Sequence, residues 1–253
     1  MPDPTSDATP TPESRRLSFG DTAPDYDRFR PGYPADAVRW VVGPAPLRVV
    51  DLGAGTGLLA EVVAGLGHQV TAVEPDSAMR RQLAERAGAT VTVVGGSAED
   101  IPLDDGAADA IVVGQAFHWF DLELALPEMA RVLADKGRLG VLWNVRDDDV
   151  DWVEQISAMV GRYDARSGNR DADVPAIAPA FTDVQRAEFR HEQPMDPDAL
   201  VGLVSTFSYV ALSPDRDAVL AQVRALASEH PDLAGRRRFG LPYETVVYRA
   251  TKA

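Results

Sequence analysis

The segment Val-Val-Asp-Leu-Gly-Ala-Gly-Thr-Gly-Leu-Leu-Ala at 49–60 constrains this chain more than any other. A β-branched run ends at Asp51, passes Gly53, Gly55 and Gly57 at alternate positions, and becomes the apolar start of a helix. Glycine takes positive φ readily and lets backbone approach a ligand with no Cβ in the way. The helix that follows presents N–H groups without intrahelical partners to the same point. A dinucleotide fingerprint spaces its glycines G-x-G-x-x-G and seats a pyrophosphate on the helix N-terminus. Here the spacing is G-x-G-x-G, and Leu58 stands where the third dinucleotide glycine would be. That favours a nucleotide-type ligand without a pyrophosphate, approached by a carboxylate such as Asp51.

Strand and helix patterns alternate around this turn. Residues 47–51, 69–73, 90–94, 108–113 and 138–144 read as strands. Residues 58–66, 77–87 and 122–134 read as helices, the last with Pro127 in the first turn of its regular part. Such alternation predicts an α/β fold with a parallel sheet wound by right-handed crossovers. Beyond it the pattern predicts helix over 150–163, a polar loop over 164–179, a strand over 181–193, helices over 198–209 and 215–229, and a final strand over 243–250. Residues 1–14 read as a disordered tail. Residues 15–253 read as one domain: a lead-in lid segment (15–45), a cofactor-binding core (46–149) and a substrate cover with the final strands (150–253).

Charge narrows the partners. A net charge of −14 argues against nucleic acid and against an anionic membrane surface. The chain has no cysteine, which excludes disulfides and thiolate metal sites and fits a reducing compartment. No apolar stretch is long enough to span a bilayer, and the N-terminus lacks the hydrophobic run of a signal peptide. The expectation is a cytoplasmic monomer or homodimer. No metal site is expected: there is no His-x-x-x-His pair, and Asp147, Asp148 and Asp149 read as a solvated loop.

Ligands of open α/β sheets bind beyond the carboxyl ends of the strands, so the residues that follow each strand matter most. They are Asp51 with the glycine turn, then Glu74-Pro75-Asp76, then Ser97-Ala98-Glu99, then Gly114-Gln115-Ala116-Phe117-His118-Trp119-Phe120. Together these resemble the class I S-adenosylmethionine (SAM)-dependent methyltransferases. The likeness is carried by VDLGAGTG at 50–57, VEPDSAM at 73–79, GSAEDIPL at 96–103, GQAFHWFD at 114–121, FGDTAPDYDRFRPGYP at 19–34 and RVLADKGRLGVLWN at 131–144. It spans 19–149, is looser beyond, and points to the small-molecule branch that includes the trans-aconitate-type enzymes. Asp135-Lys136-Gly137 departs from the Pro-Gly-Gly frequent in the family, at a surface turn.

The resemblance implies a Rossmann-like, seven-stranded, mostly parallel sheet with an antiparallel last strand and helical insertions covering the active site. It implies SAM as cofactor, S-adenosylhomocysteine as product, and in-line methyl transfer to a small-molecule acceptor. By position, Glu74 would hold the ribose, with Pro75, Asp76 and Met79 beside the ribose and adenine. Ser97, Ala98 and Glu99 would read the adenine edge. Asp51, Gly53, Ala54, Gly55, Thr56 and Gly57 would line the methionine moiety, with Gln115 and Ala116 under the sulfonium. Tyr26, Arg30 and Tyr33 belong to a segment that folds over the cofactor in relatives, Arg30 facing the methionine carboxylate and Tyr33 the substrate.

A hydroxyl or carbon acceptor needs a general base within hydrogen-bond reach, and His118 is the candidate. His68, His191 and His230 fall on expected turns or a peripheral strand, where surface roles are expected. Trp119, Trp143, Asn144 and Arg146 are candidates to line the substrate side. Three other readings stay open: a SAM-binding regulatory protein without catalysis; an NAD(P)-dependent oxidoreductase, which Leu58 and the Ala98-Glu99 site disfavour; and a macromolecular substrate, against which the acidic surface and the expected helical cover argue.

Overall fold

The computed structural model describes residues 28–161, 177 and 180–253. Its strands are β1 (Arg48–Leu52), β2 (Gln69–Val73), β3 (Val91–Val94), β4 (Ala108–Gly114), β5 (Leu133–Arg146), β6 (Phe181–Met195) and β7 (Phe239–Lys252). Its helices are α1 (Ala35–Val42), α2 (Leu58–Gly65), α3 (Ser77–Arg86), α4 (Leu122–Val132), α5 (Asp151–Gly161), α6 (Pro197–Ser205), α7 (Ser208–Ala211) and α8 (Arg216–Glu229), with a 3-10 turn over Phe117–Trp119. Tyr26, the 1–14 tail and most of the 164–179 loop lie outside the described residues.

The strands form one sheet in the order β3-β2-β1-β4-β5-β7-β6. β1 pairs in parallel with β2 and β4, and β4 in parallel with β5. β7 runs antiparallel to both β5 and β6. β1 is internal to the sheet and covered on both faces, which explains why 49–52 are all buried, Asp51 included. Successive residues point to opposite faces. Val50 and Leu52 join Ile111, Val113 and Met129 on the α4 side, and Val49 joins Val41, Val63 and Leu142 on the α1 and α2 side. β6 is the outer edge, and its charged residues Arg186, Glu188, Arg190 and Glu192 blunt that edge against further pairing.

Helices α5, α6 and α8 pack into a second core with Phe239, Leu241 and Tyr243 at the start of β7, so the cover is rooted in the sheet. No helix among the described residues is long and apolar enough to cross a membrane.

Several boundaries differ from expectation. β5 starts at Leu133, passing through a tight turn where Lys136 adopts φ 59°. β7 starts at Phe239, and the helix expected over 198–209 breaks at Thr206 and Phe207 into α6 and α7. Pro127 sits at the sixth residue of α4 and not in its first turn. A proline there removes one helical hydrogen bond, and the buried Ala125, Leu126, Met129 and Val132 hold the helix against the sheet.

Candidate active site

Asp51 is the penultimate residue of β1, and it is 1 % exposed. Neither of its carboxylate oxygens has a hydrogen-bond partner among the described residues, and the Thr56 hydroxyl nearby in sequence is likewise buried and unpartnered. Burial pushes the Asp51 carboxyl up to about 7; the Ala60 backbone N–H, outside hydrogen-bonding geometry, opposes this, and the charge of Glu74 adds to it. A buried carboxylate left without a donor is costly unless a ligand supplies one.

The turn after Asp51 has a defined shape. Gly53, Gly55 and Gly57 have φ of 70°, 57° and 92°. The Gly53 and Ala54 N–H groups donate to Val73 O at 2.9 and 3.1 Å, binding the turn to the end of β2. A Cβ on Gly53 would lie 2.8 Å from the Ala116 Cβ, whereas one on Gly55 would meet nothing within 4 Å. Gly53 is therefore packed against the β4 turn, and Gly55 faces open space.

Glu74 is 7 % exposed. Its Oε2 accepts from Gly55 N at 2.9 Å and its Oε1 from Asp76 N at 2.8 Å. Burial raises its carboxyl above the usual range, with the two backbone donors opposing. Each oxygen keeps a lone pair for a further donor. Asp76 caps α3, its Oδ1 accepting from Ala78 N and Met79 N at 2.8 Å each. Arg80, not anticipated from the sequence, donates through Nη1 to the Glu74 carbonyl at 2.8 Å and also bonds the Pro75 carbonyl, stiffening the loop that presents Glu74.

After β3, Ala98 is buried and Ser97 partly so. Glu99 turns its Oε1 to the Asp121 N–H at 3.0 Å, at the start of α4. After β4, Gln115 holds φ 56°, a left-handed conformation rare outside glycine. Its side-chain Nε2 donates to the Asn144 carbonyl at 3.1 Å. Such strain at a ligand edge persists because its surroundings enforce it. The His118 and Trp119 rings lie 4.7 Å apart, both partly exposed.

The lead-in crosses this same edge. A Cβ on Gly114 would lie 2.5 Å from the Tyr33 hydroxyl, so Tyr33 rests on the end of β4. Arg30 reaches the cover, donating to Thr206 Oγ1 at 3.2 Å and Thr206 O at 3.1 Å. Its guanidinium lies 4.8 Å from the Phe207 ring centre, and that of Arg146 lies 5.2 Å from the same ring. Carbonyls at a helix C-terminus favour a cation, as Thr206 does here at the end of α6.

Two expectations are corrected. Trp143 does not line the substrate side: it is 2 % exposed and packs edge-on against Phe117 and Tyr248. Strand alternation sends it to the α4 face, while Asn144 faces the lead-in. The other histidines are not surface groups. His68 is 1 % exposed and its Nδ1 accepts from Leu47 N at 3.1 Å. His230 is 9 % exposed, its Nε2 lying 2.8 Å from Asp151 Oδ2. His191 shares Asn144 Oδ1 and stacks on Tyr243. A separate groove of 390 Å³ lies between α6 and α8, lined by Phe29, Val201, Gly202, Leu220, Arg216 and Arg224 among others; none of its lining belongs to the strand ends.

The arrangement fits a nucleoside with a cationic tail: a buried acid at the end of β2, a second unpartnered acid beside a glycine turn, and a strained turn closing the far side. A methyltransferase domain model matches residues 50–141. An uncharacterized methyltransferase of Mycobacterium tuberculosis is 42 % identical over 239 residues, covering 94 % of this chain and 96 % of the relative. The chain belongs to the class I SAM-dependent methyltransferases, and SAM is its cofactor. Among solved structures, a type II methyltransferase assignment from Anaeromyxobacter dehalogenans superposes with TM-score 0.66 at 26 % identity, covering 88 % of this chain and 97 % of that one. Geranyl diphosphate C-methyltransferase of Streptomyces coelicolor, solved with S-adenosylhomocysteine, shares the fold at TM-score 0.50 and 20 % identity, over 87 % of this chain and 75 % of that one.

Proposed function

We propose that this chain transfers the SAM methyl group to a small-molecule acceptor held under the α5–α8 cover, in a cytoplasmic setting consistent with a cysteine-free sequence. The observation that carries the reading is Asp51, a buried carboxylate with no partner at the mouth of the glycine turn. When bound, SAM supplies an electrophilic methyl on a sulfonium, open to in-line displacement by the acceptor.

The protein's part is placement. Glu74 takes the ribose hydroxyls with its remaining lone pairs, while Pro75, Asp76 and Met79 shape that loop. Asp51, Thr56 and the 53–57 backbone take the methionine end. Ala98 floors the adenine side, with Ser97 and Glu99 at its edge. Gln115 and Ala116 set the wall at the reacting end. Arg30 and Tyr33 cover the cofactor, with Tyr26 expected to extend that cover. Holding two reactants in line and excluding water accounts for most of the acceleration such a site can give. His118 serves as general base for a hydroxyl or carbon acceptor, and Trp119 and Arg146 contact the substrate. A cover with its own core, rooted in β7, supports an enclosed acceptor over a macromolecular one.

Calorimetric titration with SAM, S-adenosylhomocysteine and NAD(P)H tests the reading. Micromolar binding of the first two without the third supports it, and an acceptor screen by S-adenosylhomocysteine release then separates an enzyme from a silent binder. Absence of binding by both sulfur ligands would overturn it.

A further inference from the structure

The segment 29–33 is gripped by two side-chain amides from the sheet. Gln193 Nε2, on β6, donates to the Phe29 carbonyl at 2.9 Å. Asn144 Nδ2, near the end of β5, donates to the Gly32 carbonyl at 3.0 Å and reaches that of Pro31 at 3.5 Å. The sense of the Asn144 amide is set by the Gly32 carbonyl, which can only accept; the amide oxygen then faces Thr245 Oγ1, which donates at 2.6 Å, and His191 Nε2 lies 3.3 Å away. An amide offers N–H donors on one side and acceptor lone pairs on the other, and Asn144 uses both sides, its nitrogen on Gly32 and its oxygen on Thr245. The node is buried, with Thr245 0 % and Asn144 7 % exposed, and His191 is backed by Tyr243 with ring centres 5.6 Å apart.

The chemistry of the segment calls for donors from the sheet. Within Arg30-Pro31-Gly32-Tyr33-Pro34, both prolines lack an N–H. Carbonyls are what those positions offer, and the sheet answers with amide nitrogens. The Asn144 backbone carbonyl also accepts from Gln115 Nε2 at 3.1 Å. One residue thus joins the overlying segment, the strained turn after β4, and the antiparallel strand β7.

We propose that Asn144 is a positioning residue that fixes segment 29–33 across the cofactor site through a Thr245–Asn144–Gly32 chain, keeping Tyr33 on Gly114 and Arg30 at the end of α6. It touches neither methyl donor nor acceptor; it acts through Tyr33 and Arg30. The proposal rests on the reading above that these two residues cover the cofactor.

Its test compares the full-length chain with Asn144→Asp, Thr245→Val and Thr245→Ser. Asn144→Asp keeps the shape but turns an acceptor toward the Gly32 carbonyl, an unmet and repulsive pairing. Calorimetry with S-adenosylhomocysteine and hydrogen exchange over residues 28–42 are read together. Asn144→Asp is expected to bind at least tenfold more weakly, with faster exchange confined to 28–42. Thr245→Val falls between, and Thr245→Ser, which keeps the hydroxyl, matches the wild type. Unchanged affinity in Asn144→Asp, with or without faster exchange in the segment, would overturn the proposal. So would exchange that rises equally in β1 and β4, which marks general loosening. If the wild type itself binds no S-adenosylhomocysteine, the cofactor reading fails, and unchanged exchange over 28–42 in Asn144→Asp would then overturn the positioning role separately.

Discussion

Gly55 donates its backbone N–H to Glu74 Oε2 at 2.9 Å, joining the turn after β1 to the acid after β2. The bond makes Glu74 a structural part of the turn before any ligand arrives. It also leaves the neighbouring Asp51 as the acid without a donor. The two buried carboxylates therefore differ: Glu74 is held by two backbone donors, and Asp51 has none among the described residues.

Glu74→Ala should weaken SAM binding by about 1.5–3 kcal/mol for each charged hydrogen bond lost. It should also lower the melting temperature, because the Gly55 and Asp76 N–H groups lose their acceptor. Glu74→Gln keeps one acceptor oxygen and should fall between on both measures. Calorimetry and thermal denaturation of the three proteins check this, and wild-type affinity in Glu74→Ala would place the ribose elsewhere.

Asp51 gives a pH signature of fixed sign. Its folded-state carboxyl titrates near 7 against 3.8 ordinarily, chiefly because it is buried. Between those values the folded protein keeps a proton that the unfolded chain has released. Stability of the ligand-free protein therefore falls as pH rises across the window, and the loss is complete above it. Glu74, also raised by burial, adds in the same direction. A cationic ligand favours the ionised acid, so SAM should bind more tightly as pH rises through about 7 and should release a proton. Melting curves from pH 4 to 8.5 and calorimetry in buffers of differing ionisation enthalpy read both effects. Asp51→Asn should flatten both profiles.

Much of this was legible because two short-range rules govern it. The period of apolar residues and the glycine turn place β1, α2, β2 and the residues that follow them, and Asp51, Glu74 and Gln115 stand at the strand ends where expected. What the sequence hides is long-range. Asn144 meets Gly32 across 112 residues, and Arg30 meets Thr206 across 176. No local pattern encodes such pairs. Trp143 was misplaced for another reason: its side is decided by β5 register, and a one-residue step exchanges core for lead-in. His68 and His230 look exposed in sequence because turns and helix ends are polar, yet both are buried and each accepts from a backbone N–H through Nδ1.

Gly53→Ala and Gly55→Ala should separate packing from binding. At Gly53 a Cβ would lie 2.8 Å from Ala116 and 3.3 Å from the Phe120 ring at φ 70°. Overpacking of this kind costs about 1–3 kcal/mol, so Gly53→Ala should lower the denaturation midpoint and lose SAM together. At Gly55 the space is open, so the stability loss is confined to the left-handed backbone, about 1–2 kcal/mol. Its Cβ would enter the ligand's side, and SAM affinity should fall by more than stability predicts. Equal behaviour of the two variants in both measurements would count against an open ligand cradle at Gly55.

His118 stands apart from the carboxylates, on the 3-10 turn after β4 with its ring 4.7 Å from that of Trp119. No cofactor role is assigned to it, so His118→Ala should leave SAM and S-adenosylhomocysteine affinity within twofold of wild type. Loss of a general base costs typically 10²–10⁴-fold in rate when the acceptor must give up a proton. A hydroxyl or carbon acceptor should therefore show that loss in kcat, with a smaller change in KM. A carboxylate acceptor is already ionised and should be methylated at nearly the wild-type rate. Trp119→Phe, by contrast, alters the wall and should raise KM with kcat held. Full activity of His118→Ala on a hydroxyl acceptor would assign the His118–Trp119 pair to the pocket wall alone.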